Sequence, residues 1–364
     1  MKLTYPHMGS LYIVIRALLT NLGLELILPP PTTRRTVELG VRHSPEFACF
    51  PFKLNVGNYL EAKELGADTI LMAGGVGPCR FGYYAQVQRQ ILDDLGVEMQ
   101  MVVLEPPDVS FNEVKDKIRC LIGDLSWWQA VKAARFAWCK ARAVDAVEEK
   151  ILRLRPRVKE QHKLERSFRQ ALQEIDAALD RGTVQRVTSG FLKRMDMMPR
   201  HKAEPLRVGL VGEIFTILEP FANYDMERRL GFLGVEVTRS IWLSAWINEH
   251  LLGGLLRVRH ECLNDQRLAA PYLNSFVGGH GKETVGCTVG FAQRNYDGVI
   301  QLAPLTCMPE IVANSVFPAV SRDYRIPLLT FYLDELSGEA GIQTRLEAFI
   351  DLIAACSRNR KDVL

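Results

Sequence analysis

Short apolar strands alternate with helices that end near a glycine, and this alternation occurs twice in the chain. In the first part we predict helices at residues 11–22, 54–65 and 81–95 and strands at 25–28, 69–73 and 98–104. In the second part we predict strands at 208–211, 235–238, 298–302 and 327–333 and helices at 223–233, 309–320 and 343–355. Short buried strands separated by glycine-closed helices are typical of a parallel α/β sheet.

The two α/β parts follow one order of elements, which indicates an internal duplication. Near the start of each part, a helix leads through Leu-Gly into a short strand, at residues 21–26 and 232–237. In the middle of each part, an aspartate (Asp68 or Asp297) opens an apolar strand that runs towards a cysteine (Cys79 or Cys307). The repeat predicts two related parallel-sheet domains, at residues 1–110 and 206–364.

Residues 111–205 have a different pattern. Glycine is scarce, charges alternate in sign, and apolar residues recur at helical spacing, as at Val147, Ile151 and Leu154. This segment is predicted to be a helical insert between the two domains. Its basic residues are interleaved with acidic ones, which favours a solvated helix face over a nucleic-acid patch.

The charge balance limits the kinds of partner. The chain has 364 residues, with 45 basic and 42 acidic side chains and a net charge of +3. That balance argues against nucleic acid or an anionic membrane as the main partner. No apolar run approaches the roughly 18 residues of a membrane span, and the first residues lack the order of a signal peptide. We therefore expect a cytoplasmic protein whose cysteines are reduced thiols or metal ligands.

Three of the eight cysteines lie in proline-containing loops just before a predicted helix: Cys49, Cys79 and Cys307. Cys79 and Cys307 also follow the carboxyl end of a buried strand, the edge of a parallel sheet where ligands bind. In two of the loops the pattern is Cys-x-Pro, which places the thiol at a helix N-cap. The helix dipole stabilises a thiolate there, and thiolates bind soft metals. The alternative is that all three are buried thiols in turns.

The other five cysteines carry weaker signals. Cys120, Cys139 and Cys356 fall within helical patterns, and Cys262 and Cys287 lie in segments with no ligand spacing. A free cysteine in such a place usually behaves as a small core residue. No Cys-x-x-Cys pair occurs, so zinc ribbons and ferredoxin-type runs are unsupported. What is predicted instead is a metal cluster held by thiolates that are distant in sequence.

The duplication suggests three thiolates rather than four. In the second domain the place corresponding to Cys49 is occupied by residues 278–282, which contain His280 and no cysteine. Three thiolates on a [4Fe–4S] cube leave one iron open to substrate, solvent or another ligand, for which His280 is a candidate. A structural role for this histidine is the alternative. Lys53 and Arg80, close in sequence to the cysteines, would offset the negative charge of such a cluster.

Several of these motifs resemble one protein family. They are residues 44–53, 77–84, 278–281, 304–310, 334–341 and 344–349. Taken together, they resemble the acyl-CoA dehydratase activase-related family, also called CoA protein activase. That family is similar to subunits of 2-hydroxyacyl-CoA dehydratases and benzoyl-CoA reductases and to double-cubane cluster proteins. The resemblance spans both α/β parts, and the insert carries little of it.

The resemblance implies two flavodoxin-like domains with a [4Fe–4S] cluster between them, or an [8Fe–9S] double cubane instead. Cys49, Cys79 and Cys307 would be the ligands, and a double cubane would also need Cys262, Cys287 or a second subunit. A separate actin-like, ATP-dependent activase would be the partner that donates electrons. The resemblance also suggests a homodimer.

These inferences together predict an iron–sulfur component of an ATP-dependent redox system, which delivers low-potential electrons to a small-molecule substrate. It would be a reductase or dehydratase-type component, and the sequence identifies neither the substrate nor a catalytic residue. Two alternatives stay open. One is a non-catalytic electron relay or supporting subunit, and the other is a metal-free module that binds CoA or a nucleotide.

Overall fold

A computed structural model describes residues 1–75, 77–104, 126–250 and 265–362. The first lobe contains a four-stranded sheet of β1 (Lys2–Thr4), β2 (Glu25–Leu26), β3 (Thr69–Ala73) and β4 (Gln100–Leu104). The strands lie in the order β2-β1-β3-β4, and every pair is parallel. The predicted parallel α/β architecture is therefore confirmed.

The helices of the first lobe are α1 (Leu11–Asn21), α2 (Arg34–His43), α3 (Phe50–Glu64) and α4 (Phe81–Asp94). The sequence pattern missed α2 and began α3 four residues too late. Residues 50–59 of α3 are all buried, so this half of the helix has no polar face and no amphipathic period. α2 and α3 cross closely at Gly40 and Gly57, where a Cβ atom would lie about 2 Å from a carbonyl oxygen of the other helix.

Three helices follow in the described part of the predicted insert: α5 (Trp127–Leu154), α6 (Gln161–Ala177) and α7 (Arg181–Asp196). Their shared core includes Ile13, Val14 and Ala17 of α1, so these helices pack directly on the first lobe. Glu148 of α5 contacts both lobes. It accepts a hydrogen bond from Ser10 of the first lobe and forms an ion pair with Arg239 of the second lobe. The bundle therefore joins both lobes.

The second sheet consists of β5 (Leu206–Gly212), β6 (Val235–Arg239), β7 (Gly298–Pro304) and β8 (Leu328–Leu333). Its order is β6-β5-β7-β8, and all its pairs are parallel. When the strands of each lobe are numbered along the chain, both sheets have the spatial order second, first, third, fourth. This agrees with the duplication inferred from the sequence. None of the helices in the described ranges is both long and apolar enough to cross a bilayer.

The helices of the second lobe are α8 (Ile214–Leu218), α9 (Met226–Phe232), α10 (Leu243–His250), α11 (Gly281–Gln293), α12 (Met308–Tyr324) and α13 (Glu339–Asp362), with a short 3-10 turn at Asp265–Ala269. The sequence pattern did not reveal α11. Like α3, it is buried on nearly all sides, from Thr284 to Phe291, so it too lacks an amphipathic period.

Candidate functional site

Two of the three loop cysteines lie at helix N-caps. Cys49 is the N-cap of α3 and Cys307 is the N-cap of α12, and each helix carries a proline in its first turn. Cys79 lies two residues before the first residue of α4. Thr306, which precedes Cys307, has a φ of +67°, a left-handed conformation that a β-branched residue rarely adopts. The strained turn at Thr306 fixes the direction in which the chain enters α12.

The loops that carry the three cysteines meet at one carbonyl oxygen. Phe47 accepts a hydrogen bond from Arg80 Nη1 at 3.0 Å and another from Thr306 Oγ1 at 3.1 Å. A fourth loop reaches the same place, because a Cβ atom on Gly279 would lie 3.6 Å from the sulfur of Cys79. Segments that are more than 200 residues apart in sequence, from both lobes, thus form one small region.

These loops open into a cavity of about 2050 Å³. Cys49, Cys79, Cys307, Arg80 and His280 all line it. The wall includes residues that follow the carboxyl ends of β1, β3, β5 and β7. This is the edge of a parallel α/β sheet at which ligands bind, and here the edges of two sheets contribute to one space.

His280 occupies in the second lobe the place that Cys49 occupies in the first. Each is the N-cap of the helix that precedes the third strand of its sheet, α11 for His280 and α3 for Cys49. Cys307 corresponds in the same way to Cys79, since each follows the third strand. The two lobes therefore present three thiols and one imidazole to the cavity.

The side chain of Lys53 is directed away from the cavity. Its ammonium group forms an ion pair with Glu335, in the loop after β8, and in the described ranges it is not part of the cavity wall. The side chain of Lys53 is only 6% exposed and that of Glu335 is 18% exposed. This pair links α3 of the first lobe to the second lobe, and the contact that Lys53 makes with Cys49 is a hydrogen bond between their backbones.

We expect Lys53→Met to lower the free energy of unfolding by about 3 kcal/mol, because it leaves a largely buried carboxylate without its cation. Urea denaturation followed by circular dichroism measures the change. The matched control is Lys150→Met, which breaks a pair with Asp196 whose side chain is 59% exposed. Such exposed pairs contribute about 1 kcal/mol or less. Equal effects of the two substitutions would contradict the assignment of Lys53 to a buried pair.

The thiols lie in an environment that opposes negative charge. Burial raises the pKa of Cys49 to about 11 and also raises the pKa of Cys79 and of Cys307. The nearby carboxyl groups of Glu213 and Glu310 act in the same direction on Cys79 and Cys307. The thiols are therefore neutral by themselves, and a metal that binds them as thiolates has to displace their protons.

The cysteines in the described ranges do not form a mononuclear metal site. Among the described residues, no three His, Cys, Asp or Glu side chains form a group that could hold a metal ion. An iron–sulfur cluster has different requirements, because its thiolates bind separate iron atoms of an extended inorganic core. Thiols that face one cavity without forming such a group do not fit a structural zinc site.

Two further groups at the site were not identified from the sequence. Cys139, on α5, lines the same cavity, although its helical pattern suggested a core residue. Tyr84, on α4, forms a hydrogen bond with the sulfur of Cys49. The positions of both side chains depend on how the helices pack, and a single sequence does not reveal that packing. Of the remaining cysteines, Cys287 is buried in α11 and Cys356 is half-buried on α13, while Cys120 and Cys262 lie outside the described residues.

The fold and the site define a two-lobed α/β protein in which cysteine-bearing loops from both lobes face one cavity. Residues 7–74 match the model of a family described as CoA enzyme activase uncharacterised domain. The matched segment runs from the start of α1 to the end of β3 and includes Cys49. No curated protein matches the chain. The match supports a relationship to activase-related proteins.

Proposed function

We propose that Cys49, Cys79 and Cys307 hold a [4Fe–4S] cluster, and that the chain is the iron–sulfur component of an ATP-dependent redox system. The observation that carries the proposal is the convergence of the three cysteine loops on one carbonyl oxygen, at the mouth of one cavity. A bound cluster would supply one-electron chemistry at low potential. The protein would deliver these electrons to a small molecule in the same cavity.

The surrounding side chains have distinct roles in this proposal. His280 lies where a fourth ligand would be expected from the duplication. Arg80 stabilises negative charge beside Cys79, since its guanidinium lowers the pKa of that thiol against the effect of burial. Tyr84 donates its hydroxyl hydrogen to the sulfur of Cys49 once that sulfur is a thiolate. Lys53 has a structural role only.

The electron donor in this proposal is a separate actin-like activase that hydrolyses ATP, and the family match over residues 7–74 supports such a partner. A homodimer and a cytoplasmic location belong to the same proposal. The double-cubane alternative needs further thiolates. Of the cysteines in the described ranges, Cys139 is the additional one that faces the cavity, whereas Cys287 is enclosed in the core of the second lobe.

Analysis of iron and acid-labile sulfide in anaerobically purified protein tests the proposal, together with electron paramagnetic resonance after chemical reduction. We expect four iron and four sulfide per chain and a signal of a reduced cluster. A colourless protein without iron would overturn the proposal. Iron without substrate turnover in the presence of activase and ATP would favour the electron relay instead.

The size of the cavity favours an organic ligand beside the cluster. Sites for small molecules commonly measure about 300–1,000 Å³, and this cavity measures about 2050 Å³. A metal-free module that binds CoA or a nucleotide in this space is therefore the second candidate function. It predicts ligand binding with no iron in the protein, which the same iron analysis distinguishes.

Tyr84→Phe is expected to leave the iron content unchanged and to lower the reduction potential of the bound cluster. Hydrogen bonds to cluster sulfurs raise the potential, so their loss lowers it. A net hydrogen bond of about 1 kcal/mol corresponds to about 40 mV for one electron. Redox titration monitored by electron paramagnetic resonance measures the shift.

The control for this prediction is Tyr59→Phe. Tyr59 is also a fully buried tyrosine, but its hydroxyl donates to the sulfur of Met72 at 3.5 Å and not to a cysteine. We expect no change of potential in this variant. An unchanged potential in Tyr84→Phe, or an equal shift in both variants, would contradict the role given to Tyr84.

A further inference from the structure

The cavity extends from the cysteine loops to the helical bundle, where one face of α5 and one face of α7 form its wall. On α5 the lining residues are Val131, Ala134, Arg135, Trp138, Cys139 and Arg142, with the small side chains of Ala137 and Ala143. On α7 they are Arg181, Val184, Gln185, Thr188, Ser189 and Leu192. Both sets recur at intervals of three and four residues, so each is a single helix face. We call these two faces the helical wall.

The helical wall has an apolar middle. Val131 is 44% exposed, and Trp138 and Leu192 are half-buried, although all three lie on helices whose other faces are packed in the core. Val14 and Leu18 of α1 line the same space. A contiguous apolar surface that faces a cavity rather than the core is typical of a site for an apolar ligand.

Three guanidinium groups accompany this apolar surface: Arg135, Arg142 and Arg181. Within the described ranges the structure records no acidic partner for any of them. Other arginines of the bundle are paired, for example Arg153 with Glu149 and Arg155 with Glu165. The cationic charge on the helical wall is therefore available to an anion from outside the chain.

The relative positions of α5 and α7 place two of these arginines at about the same height along the helix axes. Lys150 of α5 forms an ion pair with Asp196 of α7, which places the last turns of the two helices side by side. Arg135 and Arg181 precede Lys150 and Asp196 by the same number of residues, and all helices rise equally per residue. The backbones of Arg135 and Arg181 consequently lie at about the same height along the helical wall.

Burial raises the pKa of three carboxyl groups at the cysteine end of the cavity, to about 7 for Glu283 and about 8 for Glu310. Glu213, Glu283 and Glu310 line this end, and their carboxyl groups lie near the N-termini of α8, α11 and α12. Carboxyl groups do not attract an anion, whereas the arginines of the helical wall do. An elongated molecule with one anionic end would therefore lie with its apolar part directed towards the cysteines.

We propose that the helical wall binds an amphiphile with a carboxylate or phosphate headgroup and an unbranched apolar chain. Arg135 and Arg181, assisted by Arg142, bind the headgroup, and the apolar chain lies against the apolar middle of the helical wall. The binding site rests on the geometry of the wall alone. Occupation of this site does not depend on the iron–sulfur cluster proposed above.

Isothermal titration of the full-length chain with octanoate, decanoate and dodecanoate, below their micelle concentrations, tests the apolar part of the site. The expected affinity rises about fourfold for each methylene buried. Dodecyl phosphate serves as the second anion, and tighter binding of either anion identifies the headgroup. Dodecyltrimethylammonium has the same chain with the opposite charge and is expected to bind at least tenfold more weakly. Equal affinity for the cation, or no dependence on chain length, would overturn the proposal.

The charged part of the site is tested with the double variant Arg135→Ala/Arg181→Ala, which is expected to bind dodecanoate about tenfold more weakly. The control is Lys132→Ala/Arg186→Ala, which removes two exposed cations from the same helices but from outside the wall. Unchanged affinity in the first double variant would refute the headgroup site. Repeating the titration with Cys49→Ser/Cys79→Ser/Cys307→Ser separates the two proposals, because amphiphile binding is expected to persist there even if no cluster is ever found.

Discussion

Replacing any one of Cys49, Cys79 and Cys307 with serine is expected to remove most of the iron from anaerobically purified protein. Iron in clusters prefers the soft thiolate, and a serine hydroxyl is a hard and far weaker ligand. Each of the three loops supplies one thiol, so no neighbouring cysteine in the same loop can replace the lost ligand. Iron and sulfide per chain, with electron paramagnetic resonance of the reduced protein, measure the loss.

Two other cysteines serve as controls for this experiment. Cys356→Ser changes a half-buried thiol on α13 that does not line the cavity in the described ranges, and we expect full iron content. Cys139→Ser changes a thiol on α5 that lines the cavity but lies outside the three loops, and we expect full iron content here as well. Loss of iron in Cys139→Ser would extend the ligand set towards a larger cluster. Full iron content in all three loop variants would contradict the ligand assignment.

The sequence predicted the sheets better than the helices that support the site. All strands except β1 were expected from short apolar runs, and the equal order of elements in the two lobes was expected from the repeat. The missed or shortened helices include α3 and α11, which are buried almost all round. A helix without a polar face has no 3.6-residue period, so hydrophobic periodicity cannot distinguish it from a loop or a strand.

At the candidate site, too, some features were predicted from local sequence patterns and others were not. The cysteine loops were identifiable because Cys-x-Pro and the strand-to-cysteine step are local patterns. The direction of the Lys53 side chain was not identifiable, because it depends on which side of the buried helix α3 meets Glu335 of the other lobe. The carboxyl groups of Glu213 and Glu310 likewise come near Cys79 only because the two lobes meet. Contacts between distant segments require the tertiary structure.

The second large effect is expected from Gly57→Ala. Cys49 is the N-cap of α3, and the position of this helix is set by the crossing with α2, where a Cβ atom on Gly57 would lie 2.0 Å from the carbonyl oxygen of Thr36. That oxygen belongs to the backbone and cannot rotate away, so the two helices have to separate. We expect the free energy of unfolding to fall by about 3 kcal/mol, the upper part of the range for overpacking. Urea denaturation followed by circular dichroism measures the change.

The sign of this effect separates packing from helix propensity. Alanine is intrinsically better than glycine within a helix by about 1 kcal/mol, so propensity alone predicts that Gly57→Ala stabilises the protein. Gly341→Ala is the matched control, because Gly341 is an exposed residue of α13 with no atom within 4 Å of its added Cβ. That variant is expected to gain up to about 1 kcal/mol. Because a displaced α3 also displaces its N-cap, Gly57→Ala is expected to lower the iron content as well. A stable Gly57→Ala protein with full iron would show that the α2–α3 crossing does not position Cys49.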